Sequence, residues 1–412
     1  MTATNTEKLY LSDPYSVSFP ARVVSCDKDE KGRVWAVLDR SAFYPESGGQ
    51  SADRGTIGEF SVIDVQEGAG ETVRHCVDDA NDDPRRLAGQ ELDCLVDWSR
   101  RFDHMQQHTG QHVLSRAFIE TAGLHTVSFH MGEETCTIDL DGDEFNPDIA
   151  DRAEDLANSI VVDNRPVEIR TVAVGDLDEL GGLELRRSIP EGVTDVRLVE
   201  VKNFDVIPCC GTHVRATGEL GLVKVIKAEK VKGLHRVYFK VGARALRDYR
   251  DKHGVVQSLS SRFTTSAADI ASKVDKLLAE GQQARRNIKR LSQELAVHEA
   301  ETLLTAASIS NGVKIVVHFF ANADDEYLRL ISAVIKREPG SVAILGAASG
   351  GIVCSASDGV SLDFVELAVE LVKAAGGSGG GKGNYAQLRV PDSADVNKFL
   401  EEIANNVKRS VG

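Results

Sequence analysis

The sequence predicts a multidomain α+β protein: a small N-terminal β-barrel, an α+β domain that holds a metal site, a helical or coiled-coil linker, and a small C-terminal α/β domain. Three observations predict it. A length of 412 residues exceeds what one core usually organises, so two or three domains are expected. The hydrophobic period changes along the chain, from short alternating runs to a helical seam and back to strand–helix alternation. Two tight pairs of ligand-type side chains, His108 with His112 and Cys209 with His213, fall in the second of these regions. The boundaries read as 1–98, 99–252, 253–310 and 311–412.

The elements follow in order. VSFPARVVSC (17–26), RVWAVLD (33–39), FSVIDVQ (60–66) and LDCLVDW (92–98) alternate or run apolar over short lengths between Gly and Asp turns, which predicts barrel strands. Residues 101–119 predict a helix, followed by a strand at 135–141 and an acidic helix at 148–161. Strands are expected at 167–172, 196–206, 221–231 and 235–242. In 267–307, Ile270, Val274, Leu277, Gly281, Ala284, Ile288, Leu291 and Leu295 step by four and three, the seam of a helical hairpin or coiled coil. Gly281 and Ala284 weaken its middle, so a break or turn is expected near Gly281. From residue 313, apolar runs at 313–320, 341–349 and 351–357 alternate with helices at 325–336, 363–375 and 394–407.

Composition excludes several classes. No apolar run approaches the ~20 residues that span a bilayer, and residues 1–19 show no basic-then-apolar export pattern, so no membrane association and a cytoplasmic setting are expected. Seven cysteines without framework spacing suit free thiols in a reducing compartment, with Cys26, Cys76, Cys94, Cys136 and Cys354 as small core residues. A net charge of −15 opposes indiscriminate nucleic-acid binding. Residues 222–252 nonetheless carry ten Lys/Arg against Glu229, Asp248 and Asp251, and screening over about 10 Å lets such a patch act locally.

The ligand pairs carry the chemistry. A spacing of i, i+4 on a helix puts His108 and His112 on one face. Cys209 and His213 keep the same step in PCCGTHV, where Pro208 and Gly211 predict a turn. Three imidazoles and a thiolate suit one tetrahedral zinc ion. Two other motifs fail. Gly376, Gly381 and Lys382 match a P-loop, but Gly383 supplies no hydroxyl for magnesium and a helix, rather than a strand, precedes them. HTGQ at 108–111 lacks the closing histidine of a class I synthetase signature, and no complete aminoacylation site is visible.

FYPESGGQ (43–50), HTGQHVLS (108–115), CCGTHV (209–214) and TGELGLVKVIKAEKVKGLHRVYFKVG (217–242) together resemble the editing region of alanyl-tRNA synthetases. GGSGGGKGNYAQ (376–387), with Gly376, Gly377, Gly379, Gly380 and Gly381, resembles the glycine-rich motif of the synthetase's C-terminal DHH-associated domain. In this order they look most like the free-standing AlaX editing proteins of the long form. Cys210 stands where synthetases usually carry glycine.

The resemblance implies a zinc-dependent aminoacyl-tRNA hydrolase that removes serine from mischarged tRNA(Ala), with glycine as a second candidate. It implies Thr126 as the reader of the seryl hydroxyl, and Gln111 is a candidate to orient water. It assigns acceptor-stem binding to the editing domain, for which Lys224, Lys227, Lys230, Lys232, Arg236 and Lys240 are candidates. It gives the C-terminal domain a tRNA-elbow or homodimerisation role. A zinc-stabilised tRNA-binding module without turnover is the alternative. A metal-dependent phosphoesterase, suggested by the type of terminal domain, lacks the aspartate-rich motifs for a metal pair.

Overall fold

A computed structural model describes residues 5–78, 87–175, 194–391 and 394–411. The chain divides into two compact units, Met1–Ser258 and Leu259–Gly412.

The first unit opens with a closed six-stranded barrel, in the order Ser18–Lys28, Val34–Leu38, Val73–Asp78, Phe60–Glu67, Gly55–Ile57, Glu91–Val96. Alternation in the sequence sets which side chains point in: Phe19, Ala21 and Val23 are buried from the first strand while their neighbours face out. A 25-residue helix, Trp98–Ala122, follows the last strand. Asp97 caps it by accepting from the Arg100 amide at 3.2 Å, and Gly123 ends it in the left-handed conformation at φ 66°. From His104 to Ser115 every residue of this helix is buried, so it has no solvent face. A surface helix shows an apolar stripe and a polar one. Here polar side chains are interred on all sides, and each needs a partner.

Those partners come from the whole unit. Arg101 and Asp53 form an ion pair with neither side chain exposed. Arg101 also donates from Nη1 to the Pro14 carbonyl at 2.6 Å and from Nη2 to Ala42, while Asp53 accepts from the Tyr44 amide at 2.7 Å. The barrel is thereby fastened to the helix. Two turns of β-structure flank it: the four-stranded sheet Val223–Val231, Leu234–Val241, Cys136–Leu140, Thr126–Met131, and the three-stranded sheet Val167–Ala173, Asp195–Val201, Asp205–Pro208. Gly110 permits the close approach to the first sheet, since a Cβ there would lie 2.5 Å from the Val241 side chain. The acidic helix, Pro147–Val162, packs its Ile149, Ala153, Ala157 and Ile160 into the same core.

The helical segment departs from the sequence expectation. Helix Ala243–Phe263 is followed by helix Ile270–Thr305, and the interruption lies at 264–269, with Thr264 at φ 50°, and not at Gly281. A single glycine costs a helix about 1 kcal/mol, which a 36-residue helix absorbs through its other backbone hydrogen bonds. The seam residues Leu277, Ile288, Leu291 and Leu295 are exposed, whereas Ala296 and Ala300 near its end are buried against helix Asp325–Ile335.

The second unit holds a six-stranded mixed sheet, Ser308–Ser310, Val313–Phe320, Ser341–Ala347, Gly351–Ala356, Tyr385–Arg389, Ser378–Lys382. Its central strands, Ser341–Ala347 and Gly351–Ala356, are buried throughout. Ala343 and Leu345 pack with helix Asp325–Ile335, and Val342 and Ile344 with helix Val396–Val411. The segment 363–375 begins as a π-turn at Val365–Val369 before the α-helix Glu370–Ala374. The glycine-rich motif is an edge hairpin: Ser378–Lys382 is exposed along its length and pairs with Tyr385–Arg389, with Gly383 at φ 55° in the turn.

Cys76, Cys94, Cys136 and Cys354 are buried as expected, but Cys26 is half-buried. Burial pushes the Cys94 and Cys136 thiols up to about 12, the environment of inert core cysteines. Among the described residues no helix is long and apolar enough to cross a membrane.

Removing one partner of a buried pair leaves the other charge uncompensated, which costs about 3–5 kcal/mol. Asp53→Ala should therefore lower the urea stability of the protein by that amount, whereas Glu294→Ala, at the exposed pair with Arg290, should change it by less than about 1 kcal/mol.

Candidate metal centre

The ligand-type atoms of His108, His112, Cys209 and His213 all lie within 4.8 Å of one another. The first two project from successive turns of the buried helix. The other two come from the turn after strand Asp205–Pro208. His108 Nε2 is 3.4 Å and His213 Nε2 3.3 Å from Cys209 Sγ. Bonds of about 2.05 Å to nitrogen and 2.3 Å to sulfur place N and S about 3.6 Å apart across a tetrahedral ion, so the donors fit a metal of that kind. The three imidazole rings are 4.6 to 5.0 Å apart, centre to centre.

The surrounding groups set the protonation of this cluster. Gln50 Oε1 accepts from the Thr212 amide at 3.2 Å, which fixes it as the amide oxygen; it lies 2.8 Å from His108 Nδ1. An amide oxygen only accepts, so His108 Nδ1 carries the proton and Nε2 presents its lone pair toward Cys209. Gln50 Nε2 donates to Thr212 Oγ1 at 2.8 Å, closing the link from barrel loop to ligand turn. Thr109 Oγ1 lies 3.0 Å from His213 Nδ1 and accepts from the Val214 amide at 3.2 Å. Such outer hydrogen bonds orient ligating imidazoles. Burial, then the neighbouring rings of His108 and His112, hold His213 well below the ordinary imidazole range, so its neutral, ligating form is favoured. The Gly211 amide donates to Cys209 Sγ at 3.4 Å, and Arg197 Nη1 donates to the Cys209 carbonyl. Cys210 is exposed, and Cys209 supplies the sulfur of the cluster.

Gln111 and Thr126 are brought together through a third side chain. Gln111 Nε2 donates to Ser115 Oγ at 2.8 Å, and Thr126 Oγ1 lies 2.7 Å from the same oxygen in a hydroxyl–hydroxyl hydrogen bond. Strand Thr126–Met131 carries a β-bulge here: Asp139 pairs with Ser128 and Leu140 with Thr126, leaving Val127 extra. Gln50, Thr109 and Ser115 were not singled out in the sequence. The signals available were the glutamine closing FYPESGGQ and a serine one turn beyond Gln111.

The basic stretch is more neutral in three dimensions than in sequence. Lys224 pairs with Glu154 at 2.6 Å, Lys227 with Glu229 at 3.0 Å, Arg236 with Asp139 at 2.7 Å and Lys240 with Asp248 at 3.1 Å. Arg244 is buried on Asp103. Lys230, Lys232, Arg247 and Arg250 are exposed and form no ion pair among the described residues. Lys232 sits at the tip of a hairpin, with Lys232 at φ 51° and Gly233 at φ 89°.

Comparison with known proteins gives two family matches: the threonyl and alanyl tRNA synthetase second additional domain over residues 196–238, and the DHHA1 domain over 312–409. The chain is 31% identical to the alanyl-tRNA editing protein AlaX-L of Pyrococcus horikoshii, covering 93% of this chain and 94% of that protein. It is 31% identical to an alanyl-tRNA editing protein of Rattus norvegicus, over 79% of this chain and 80% of the relative. It is 30% identical to the alanine–tRNA ligase of Pyrococcus abyssi over 97% of this chain, but spans only 43% of that protein's length. Part of the chain, 25%, aligns with the C-Ala domain from Aquifex aeolicus alanyl-tRNA synthetase at 18% identity and TM-score 0.23.

A Cβ at Gly211 would lie 2.2 Å from His108 Cε1 and 2.4 Å from its Nδ1. Gly211→Ala should therefore displace the His108 ring and weaken divalent-metal binding by about tenfold or more, as loss of ligand orientation does. Isothermal titration of metal-free protein reads the affinity, and an unchanged circular dichroism spectrum separates this effect from unfolding.

Proposed function

The chain belongs to the alanyl-tRNA editing protein family, and on that premise we propose that it hydrolyses tRNA(Ala) mischarged with serine, with the glycyl ester as a second substrate. The reading rests on one observation above all: two ligands of a four-donor cluster, His108 and His112, and two members of the Gln111–Ser115–Thr126 contact sit on the same buried helix. The reaction breaks the ester between the aminoacyl carbonyl and a ribose oxygen. Water adds to the carbonyl carbon, and the ribose leaves with a proton as its free hydroxyl.

His108, His112, Cys209 and His213 would hold one zinc ion. When bound, zinc supplies Lewis acidity toward a carbonyl or a water. The protein groups have separate tasks. Thr126 offers a hydroxyl to the seryl side chain, so an alanyl ester leaves a polar group unpaired and is spared; hydrogen-bonding sites discriminate in this way far better than apolar pockets do. Gln111, 7% exposed and held by Ser115, supplies an amide near the ligand face of the helix. A serine-protease-like alternative gains no support from the Ser41–His75 pair. Their 2.8 Å contact lies inside the barrel core with both residues fully buried, and burial pushes His75 down to about 4.

The substrate's RNA would meet the exposed cations that remain uncompensated. Lys230 and Lys232 at the hairpin tip are better placed for phosphate than Lys224, Lys227, Arg236 and Lys240, whose charges are already engaged.

Two measurements test the reading. Serine release from Ser-tRNA(Ala) should exceed alanine release from Ala-tRNA(Ala) by at least about a hundredfold. Cys209→Ser should lose both the zinc, measured by elemental analysis, and the hydrolysis, whereas Cys210→Ser should keep both. Protein that binds Ser-tRNA(Ala) and never releases serine would instead be the binding module without turnover. Lys230→Glu with Lys232→Glu should weaken tRNA binding and lower the slope of log K against log salt by roughly one per lost phosphate contact. Lys224→Gln with Lys240→Gln should have the smaller effect, and the reverse ranking would move the RNA surface elsewhere.

A further inference from the structure

We propose that Ser115 is a positioning residue that holds the Thr126 hydroxyl in one direction toward the substrate, and so sets selectivity for a hydroxyl-bearing side chain. The inference rests on the serine-removing reading above. Ser115 is fully buried, and two side chains close on its oxygen: Gln111 Nε2, one turn earlier on the helix, and Thr126 Oγ1, from the bulged start of strand Thr126–Met131. A buried helical serine with no special task usually turns back to its own helix backbone. Here it faces side chains instead.

The consequence is a matter of hydrogen-bonding positions. A threonine hydroxyl has one proton and two lone pairs. One of these three positions is taken by Ser115, and the other two remain. The Gln111 amide donates to Ser115 and holds the serine rotamer that faces Thr126. Thr126 is half-buried, so one side of it stays accessible while the other is held. The β-bulge at Val127 is what aims it, because an extra residue turns the neighbouring side chain out of the regular alternation. A hydroxyl held in one direction pairs with the hydroxyl of a seryl group. It finds no partner in a methyl or an ethyl group of similar reach.

Without Ser115 the Thr126 hydroxyl is free to rotate, and its fixed direction is lost. The test compares tRNA(Ala) charged with serine, with alanine and with 2-aminobutyrate, whose ethyl group matches serine in shape and lacks the hydroxyl. Ser115→Ala should lower the preference for seryl over 2-aminobutyryl ester by about five- to tenfold, the worth of one oriented hydrogen bond. The change should reside in kcat/KM for the seryl ester alone, with metal content unchanged. In a Thr126→Val background, Ser115→Ala should have no further effect on that ratio. An unchanged ratio in Ser115→Ala, while the parent protein still releases serine, overturns the positioning role and leaves the editing function standing. An equal fall for all three esters with loss of metal also overturns it, by making Ser115 a packing residue. A parent protein that releases no serine overturns both readings together.

Discussion

The buried pair of Arg101 and Asp53 is the constraint on which the first unit depends. Neither side chain reaches solvent, so neither charge is tolerable alone. Arg101 satisfies its remaining donors on the carbonyls of Pro14 and Ala42, both from the barrel side. The guanidinium therefore holds three separate stretches of chain against the first turn of the helix that carries His108 and His112. Two turns further on, Gln50 repeats the fastening from the same barrel to the first ligand. Asp103, between them, is engaged by Arg244, which also reaches the Gly132 carbonyl and ties in the end of the four-stranded sheet. The ligand helix is thus fixed along its length by charged and polar contacts, where most helices are fixed by apolar packing.

That arrangement explains an apparent cost. A helix buried on all faces with three histidines and several glutamines should be expensive, because each polar group leaves water. Most find a partner, and the solution to the burial problem is also the construction of the site. Hydrogen bonds that satisfy His108 and His213 at Nδ1 leave Nε2 of each directed at Cys209. His104 and, at Nε, Arg116 are the exceptions on this helix; His104 is the one beside the ligands. Its Nδ1 is buried without a hydrogen bond, and burial together with Arg100 pushes it down to about 3, which keeps a third imidazole neutral one turn before the ligands.

Much of this was legible in the sequence, for identifiable reasons. The ligand pairs announced themselves because metal chemistry restricts residue type and spacing, and the i, i+4 step survives whether the segment is helix or turn. The barrel strands were visible because one face is buried and the period is two. The helical seam was visible, but Gly281 was overvalued: a glycine penalty is local, and the interruption went instead to 264–269, where Thr264 adopts a positive φ. The basic stretch was misjudged for a different reason. Charge counted along the chain ignores acids brought in by folding, and Asp103, Asp139 and Glu154 come from other elements. Ser115 was passed over although it closes HTGQHVLS one turn beyond Gln111, since its contact is with a bulged strand that no periodicity reveals.

Four protein donors around one position also divide the labour within the site. A tetrahedral ion held by three imidazoles and a thiolate is coordinatively complete, the pattern of structural sites, whereas hydrolytic zinc keeps an open position. The more complete the protein's hold, the more of the discrimination must come from groups that are not ligands. The helix is suited to this because its ligands and its polar network are interleaved: His108, Gln111, His112 and Ser115 fall on adjoining turns, so a fixed metal face fixes the neighbouring amide and hydroxyl as well. Rigidity at the donors then becomes rigidity at Thr126, through Ser115. On the serine-removing function proposed above, the site gains from that rigidity, since refusing the alanyl ester depends on a polar group whose direction cannot adapt.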